Sequence, residues 1–378
     1  VWGEAMLAVA WLGELFLTTL KLLIVPLVMA SIITGVTGLG NVRRLGRMGG
    51  LSIAYYACTT FIAVAIGLIM ANWWQPGVGV SLALRSDAAL PKAGDIGVTD
   101  LVLSLFHPNI IAAAADMKLL PLIVFCMLFA AALSTLEEQA APVIGFFEGL
   151  NSAMMVVVEW VMLFAPIGVF ALIASKLGAA GGGDAFLAQL AGLAKYAAAV
   201  ISGLLTHALM LCALLLLLAR KSVLEYLRHM GAALLTAFST ASSSATLPLT
   251  MEGVQQAGVN DKARRFVLPL GATINMDGTA LYEAVAVLFI AQAYGIELNL
   301  GQQLLVLLTA TMAAIGAAGI PEAGLVTMVI VLEAVGLPLD GIGLILAIDW
   351  FLDRCRTTIN VFGDSVGAAV VGKRIAER

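Results

Sequence analysis

The chain has 378 residues, 61% of them hydrophobic and only 12% charged, with a formal net charge of −4 and a mean hydropathy of +1.02. A soluble domain carries roughly 25% charged residues, so this inventory excludes a protein with a fully water-exposed surface. Apolar stretches of about 20 residues, the length that crosses a bilayer, recur throughout, and no nucleic-acid partner is expected.

The chain opens at Val1 without a methionine, so a preceding N-terminal piece is expected. Its orientation follows from the basic residues. Of 20 Lys and Arg, 12 fall in four clusters: Arg43/Arg44/Arg47, Arg220/Lys221/Arg228, Lys262/Arg264/Arg265 and Lys373/Arg374/Arg378. Short basic loops face the cytoplasm, so each intervening stretch must leave and return. Between the first two clusters, 51–74, 117–136, 143–175 and 187–219 provide an even number of spans.

The next stretch, 229–261, has only 33 residues and a polar centre, Ser242-Ser243-Ser244-Ala245-Thr246. Two full crossings need about 40 residues plus a turn. A re-entrant hairpin from the cytoplasm fits; an amphipathic surface segment is the alternative. From 266 to 372 there are three apolar blocks, 266–296, 302–336 and 340–372, and three crossings would end on the wrong side. The middle block breaks at Gly316-Ala317-Ala318-Gly319-Ile320-Pro321. Reading it as a second hairpin, entering from outside, restores the parity; an ordinary kinked span is the alternative. Irregular backbone at membrane depth is tolerated where protein or a polar cavity satisfies it, and paired discontinuous helices of this kind build midplane sites in transporters.

Within 266–296 lies Asn275-Met276-Asp277-Gly278-Thr279. Asn, Asp and Gly are poor helix formers, so either an unwound, cation-binding turn or a simple kink is expected. Glu283 follows four residues after Thr279. Burial of a lone carboxylate favours its protonated form, making Glu283 a candidate proton carrier, the alternative being a structural pair with an Arg or Tyr. The serine run offers N–H and hydroxyl donors at helix ends, where anions bind. The glycines of 316–324 permit close backbone approach, and the tip could act as a lid. Glu322 is expected at an aqueous face.

The last span carries Asp349, Asp353, Arg356, Asn360 and Asp364 at spacings of 4, 3, 4 and 4. They fall within an arc of about 80° on one helix face. A charge at the bilayer centre costs roughly 2.5–3.5 kcal/mol on insertion scales, so this stripe must face a cavity, bound ions or partner charges. Arg356 offers a planar fork matched to a carboxylate, and Asp353 could accept from an ammonium. Asp364 and Asn360 are hard oxygen donors for a cation, and Asp349 is read as structural. The assignment expects Arg356 to look into a polar chamber rather than at an acid of its own chain. Arg354, off the stripe, is expected to pair with hairpin groups. Four cysteines, Cys58, Cys126, Cys212 and Cys355, show no metal-ligand spacing and are read as free. His107, His207 and His229 are scattered, and no nucleophile–base pair is evident, so an enzyme is not expected.

These four motifs, in this order and spacing, resemble the glutamate transporter family, the dicarboxylate/amino acid:cation symporters. The resemblance covers essentially the whole chain. It implies an all-α polytopic protein of the inner membrane, with two opposed re-entrant hairpins, inverted repeats, a homotrimer and an elevator mechanism. By the same likeness, 1–48 is a scaffold span equivalent to the family's second, with the first absent from this chain. Residues 49–84 are a transport-domain span and 85–180 scaffold and trimerisation spans. Residues 181–378 form the transport domain: span 187–219, hairpin one 222–258, span 262–296, hairpin two 300–336 and last span 340–372. Substrate contacts are implied at Ser242, Ser243, Ser244, Thr279, Gly319, Ile320, Pro321, Gly324, Asp353, Arg356, Thr357 and Asn360. One sodium site is implied at Gly271, Asn275, Asn360 and Asp364, a second at Thr273, Met276, Ala314, Ile315 and Ala317, and a third at Tyr56, Thr59, Thr60, Asn275 and Asp277.

Arg356 stands where neutral amino acid exchangers of the family lack an arginine, which favours an acidic amino acid, glutamate or aspartate. Tyr282 and Glu283 match the pair that mammalian-type members use for proton and potassium coupling. Ala241 and Arg354 repeat the mammalian-type arrangement, while the short, sequon-free loops resemble prokaryotic members. The alternatives are a C4-dicarboxylate or neutral amino acid carrier of the same fold, or an anion channel.

Overall fold

The computed structural model describes residues 6, 8–38, 46–80, 103, 105–180, 184–315 and 323–376. The apolar runs fold as helices because only a helix satisfies every backbone group within its own segment where no water is at hand. In chain order the helices are α1 (Ala10–Thr37), α2 (Gly46–Trp74), α3 (Ile110–Ala115), α4 (Leu119–Thr135), α5 (Ala141–Ala180) and α6 (Asp184–Leu217). They continue as α7 (Val223–Thr240), α8 (Ser243–Gln256), α9 (Asp261–Ile274), α10 (Asp277–Ala293), α11 (Leu300–Ile315), α12 (Ala323–Ala334) and α13 (Ile342–Ala376). The expected spans 51–74, 117–136, 143–175 and 187–219 match α2, α4, α5 and α6 closely.

Five segments among the described residues are long and apolar enough to cross a membrane: Ala10–Thr37, Gly46–Trp74, Glu138–Leu172, Leu187–Leu217 and Asp261–Ala293. They are not equivalent. The most apolar window of Asp261–Ala293 is 100% buried, against 29% for Glu138–Leu172 and 33% for Leu187–Leu217. The segment with the lowest hydropathy of the five therefore lies at the centre. The outer helices turn bare apolar side chains outward, among them Trp160, Leu163 and Phe170. In lipid such a face is solvated by acyl chains.

Two arrangements share the chain. Helix α1 packs chiefly on α5 and α4. Helix α10 packs on α2 and α13, and α13 also packs on α6, α7 and α9. Helices α7 and α8 pack on each other, and so do α11 and α12. The first pair turns at Ala241, a non-glycine residue in the left-handed region (φ +51°), and restarts at Ser242, whose Oγ accepts from the Ala245 N–H at 3.2 Å. A serine N-cap directly after a left-handed residue gives a turn too short for intervening loop. The tip of the second pair, with Ala317, Gly319, Ile320, Pro321 and Glu322, lies outside the described residues.

Helices α9 and α10 are two halves of one segment. Asn275 (φ −110°, ψ 87°) and Met276 (φ −112°, ψ 55°) leave helical geometry, and the helix restarts at Asp277. This is the unwound turn expected of the Asn-Met-Asp-Gly sequence. The break is fixed from outside: the Gly278 N–H donates to Asn360 Oδ1 at 2.7 Å. A Cβ at Gly278 would lie 2.7 Å from the Arg356 carbonyl oxygen, so only glycine lets α10 approach α13 this closely.

Candidate functional site

The α9–α10 break places its polar groups against the stripe of α13. Among the described residues the buried acids are Asp277, Glu283, Asp349, Asp353 and Asp364, while Arg356 is the sole buried Lys or Arg and His207 the sole buried histidine. Five carboxyl groups thus share one interior with one guanidinium and one imidazole. Burying ions costs several kcal/mol each unless they are compensated, so protons or cations must supply the missing positive charge.

Arg356 is 0% exposed. Its Nη1 donates to Asp349 Oδ1 at 3.0 Å and its Nη2 to Asp353 Oδ1 at 2.8 Å, with Asp349 Oδ2 at 3.5 Å. The guanidinium carbon lies 3.8 Å from the centroid of the Tyr282 ring, a cation–π arrangement. Gly324 of α12 closes over it: a Cβ there would be 3.2 Å from Nη1. Arg356 Nε has no hydrogen-bond partner. The expectation of an arginine facing away from acids of its own chain is therefore corrected, because residues three and seven positions away on one helix face sit within its reach. Asp349 and Asp353 are its two clamps. Thr357 is buried on the same helix.

One turn further along, Asn360 bridges the halves of the broken segment. Besides accepting from Gly278, its Nδ2 donates to Thr279 Oγ1 at 3.2 Å and lies 3.3 Å from Met276 Sδ. Asp364 Oδ1 accepts from Asn275 Nδ2 at 2.9 Å. Asn275 Oδ1 is buried with no hydrogen-bond partner. Gly271 packs where a Cβ would come within 2.4 Å of Asp364 Oδ1 and 2.5 Å of the Tyr56 hydroxyl. Of the four residues expected around one cation, Gly271, Asn275 and Asp364 thus converge, with an unsatisfied hard oxygen among them, while Asn360 contacts Met276, Gly278 and Thr279.

Asp277 gathers a second group. Thr60 Oγ1 donates to its Oδ1 at 2.7 Å and Thr59 Oγ1 at 3.3 Å. Tyr56 instead donates to the Val267 carbonyl at 2.8 Å. His207 of α6 places Nε2 3.0 Å from Asp277 Oδ2. The sequence reading set this histidine aside. The one available signal was an imidazole in mid-span of a helix otherwise rich in Leu and Ala, since ionisable groups inside membranes rarely lack a partner.

The remaining expected positions divide. Ser242 and Ser243 are buried at the hairpin-one turn, and Ser244 is exposed beside them. Thr273 Oγ1 donates to the Leu270 carbonyl, and Ala314 is fully buried near the end of α11. Glu283 is completely buried, faces Thr327 of α12 and completes no salt bridge. It is not paired with an arginine, although Arg356 lies within its electrostatic reach. Among the described residues Arg354 makes no polar contact with the hairpins: its Nη1 donates to the Trp350 carbonyl at 2.5 Å and its guanidinium stacks over the Trp350 ring. A half-buried arginine beside an indole on its own helix gains that contact at little entropic cost. The four cysteines are free.

Comparison with known proteins shows the family to which the chain belongs. The chain is 39% identical over 421 aligned positions to excitatory amino acid transporter 1 of Ambystoma tigrinum, covering 95% of this chain and 76% of that protein. It is 37% identical over 417 positions to human excitatory amino acid transporter 3, covering 96% and 79%. It is 36% identical over 403 positions to human neutral amino acid transporter A, covering 96% and 75%. A family model described as the sodium:dicarboxylate symporter family matches residues 1–374. The chain is a multi-pass membrane transport protein, not an enzyme, and it belongs to the sodium:dicarboxylate symporter family.

Proposed function

We propose that this protein is a secondary active symporter that takes up an acidic amino acid, glutamate or aspartate, together with sodium. The observation that carries this reading is Arg356, one buried guanidinium among five buried carboxyl groups. A solute with two carboxylates and an ammonium matches such a site only if cations enter with it.

The chemistry follows residue by residue. Arg356 receives the side-chain carboxylate of the solute in two hydrogen bonds. Asp349 and Asp353 hold the guanidinium in their absence and yield it on binding, when Asp353 turns to the ammonium. The α-carboxylate takes N–H and hydroxyl donors from Ser242–Ser244, Thr279, Thr357 and Asn360, and the backbone of Gly319–Gly324 covers the site. Sodium ions settle at Gly271/Asn275/Asn360/Asp364, at Tyr56/Thr59/Thr60/Asn275/Asp277 and at Thr273/Met276/Ala314/Ile315/Ala317. Each neutralises a carboxylate or uses backbone oxygens that the helix breaks expose. Asn275 Oδ1, buried without a partner, supports the first of these.

On this reading, α7–α8 and α11–α12 are re-entrant hairpins. Residues 49–84 and 181–378 form a transport domain moving against a scaffold of 1–48 and 85–180, and three protomers assemble through the scaffold. Helix α1 packs mainly on α4 and α5, which supports that division. Glu283, buried without a salt bridge, carries the proton, with Tyr282 beside the arginine. Potassium return uses the same pair.

The similarity to a neutral amino acid transporter supports a second reading, a neutral carrier. Uptake into proteoliposomes separates them. Arg356→Ala is expected to abolish glutamate and aspartate uptake and to spare serine. Serine uptake by the wild type at the rate of glutamate would overturn the acidic assignment.

A further inference from the structure

Three of the four basic clusters meet at one end of the molecule. Lys221, between α6 and α7, donates from Nζ to the carbonyls of Ala257 at 2.7 Å and Gly258 at 3.3 Å, just past the end of α8. A Cβ on Gly372 of α13 would lie 3.4 Å from Val259 Cγ1 and 3.5 Å from Asn260 Cβ, so Lys373 and Arg374 arrive beside the turn that leads into α9. These clusters, read as cytoplasmic from their basic residues, therefore share one face.

A cavity of about 260 Å³ opens on this face, with Arg220, Lys221, Ser222, Glu225, His229 and Gln256 as its polar lining. Leu216 and Leu217, at the end of α6, and Leu224, at the start of α7, are exposed and flank the Arg220–Ser222 turn along the chain. Bare leucines next to Arg and Lys suit the depth at which acyl chains give way to headgroups.

Arg220 stands out within the cavity. The Ala219 N–H donates to the Leu214 carbonyl and the Lys221 N–H to the Leu215 carbonyl, the pattern that closes a helix on a left-handed residue, usually glycine. Arg220 holds that place at φ +53°, a conformation that glycine adopts without cost. Glycine would close α6 as well, and the guanidinium is what glycine lacks. The Ser222 side chain makes no cap bond to α7, which leaves first-turn N–H groups of that helix for another acceptor. Glu225 offsets one positive charge, and Arg220 with Lys221 leaves the cavity cationic.

We propose that this cavity seats the phosphate of an anionic phospholipid of the cytoplasmic leaflet. The phosphate oxygens take the Arg220 fork and the α7 N–H groups, and the acyl chains run along Leu216, Leu217 and Leu224. Lys221, engaged with two carbonyls, contributes chiefly its charge. The cavity includes none of the residues around Arg356 or Asp277, so the inference stands apart from the identity of the transported solute.

The test uses the full-length protein in nanodiscs of phosphatidylcholine carrying a phosphatidylglycerol with a photoactivatable headgroup, and maps the crosslinked peptides by mass spectrometry. Crosslinks are expected within residues 216–229. Arg220→Gly suits the left-handed backbone, so it is expected to keep or raise the unfolding temperature in pure phosphatidylcholine. The same variant is expected to cut the crosslinking about fivefold or more, the factor equivalent to about 1 kcal/mol for one basic residue at an anionic surface. Arg220→Asn, also at ease in this conformation, decides the matter should the glycine variant lose stability. Arg265→Gln, at the same end but outside the cavity, should leave the crosslinking unchanged. Wild-type protein should unfold at a higher temperature with phosphatidylglycerol than without it, and Arg220→Gly protein should show no such shift. Wild-type crosslinks that avoid 216–229, or undiminished crosslinking in R220G, would overturn the proposal. So would an equal loss in R265Q, which would mean diffuse attraction to the basic face. Displacement of the lipid by inorganic phosphate, but not by chloride at the same ionic strength, would assign the cavity to a soluble phosphate and overturn the lipid.

Discussion

Arg356 shows how a single residue can dominate a site. Its two aspartate clamps are three and seven positions away on its own helix, so their approach is set by helical geometry alone. Lysine keeps the charge but loses the fork that grips two oxygens. Arg356→Lys is therefore expected to weaken glutamate binding by about 2–3 kcal/mol, roughly 30- to 150-fold, as measured by isothermal titration in saturating sodium. Glu283 offers the complementary case. It is buried without a salt bridge, and the glutamine variant keeps its shape without a titratable proton. Glu283→Gln is expected to retain exchange of internal for external substrate while losing dependence of net uptake on pH and on internal potassium. Unchanged dependence in that assay would remove Glu283 from the coupling. His207 was legible only as a polar residue in an apolar helix, because its partner Asp277 is 70 positions away and no local rule links the two.

At the scale of elements, the chain places its weakest helix formers where function needs exposed backbone. The α9–α10 break follows from Asn-Met-Asp-Gly, and the Gly278 contact with α13 fixes its depth. Gly278→Ala would push a methyl group into the Arg356 backbone. A loss of about 1–3 kcal/mol is expected from overpacking, visible as a lowered unfolding temperature and lost uptake. Ala241 is the converse. It holds a left-handed φ of +51°, where glycine is at ease. Ala241→Gly is expected to stabilise the hairpin-one turn by about 0.5–1 kcal/mol, read as slower hydrogen exchange of the Ser242–Thr246 amides. Both breaks were legible in the sequence from residue type. The capping that closes the first turn, Ser242 to the Ala245 N–H, was not, because three successive serines are equivalent candidates until the backbone selects one.

For the whole molecule, the charge balance of the interior governs the energetics. Among the described residues five buried carboxyl groups face one guanidinium and one imidazole, an interior that needs bound protons or cations to balance it, so binding of a further anion is expected to be linked to cation binding. Thermodynamic linkage makes this reciprocal: sodium tightens the solute by the same factor as the solute tightens sodium. Uptake into proteoliposomes with sodium, proton and potassium gradients imposed singly is expected to require the inward sodium gradient. Replacing external sodium by choline should abolish it. Asp277→Asn removes one of the buried carboxyl groups while keeping an oxygen that accepts from Thr59 and Thr60, and it is expected to raise the sodium concentration for half-maximal uptake about tenfold or more. A sodium response identical to that of the wild type would separate Asp277 from the ion pathway.

By itself the sequence determined the membrane setting, the spans, the two interrupted segments and the acidic stripe of α13. Each depends on composition, on run length or on the repeat of 3.6 residues per turn, which are properties of a chain read along its length. Tertiary structure decided which groups meet. It brought α2 and α6 to Asp277, set Asn360 across the α9–α10 break and turned Arg356 toward Asp349 and Asp353. It also left Arg354 on its own helix, beside Trp350. Those outcomes depend on helix packing between residues dozens to hundreds of positions apart, where side-chain volume and close backbone approach at a few glycines select the partner, and no periodicity in one segment encodes them.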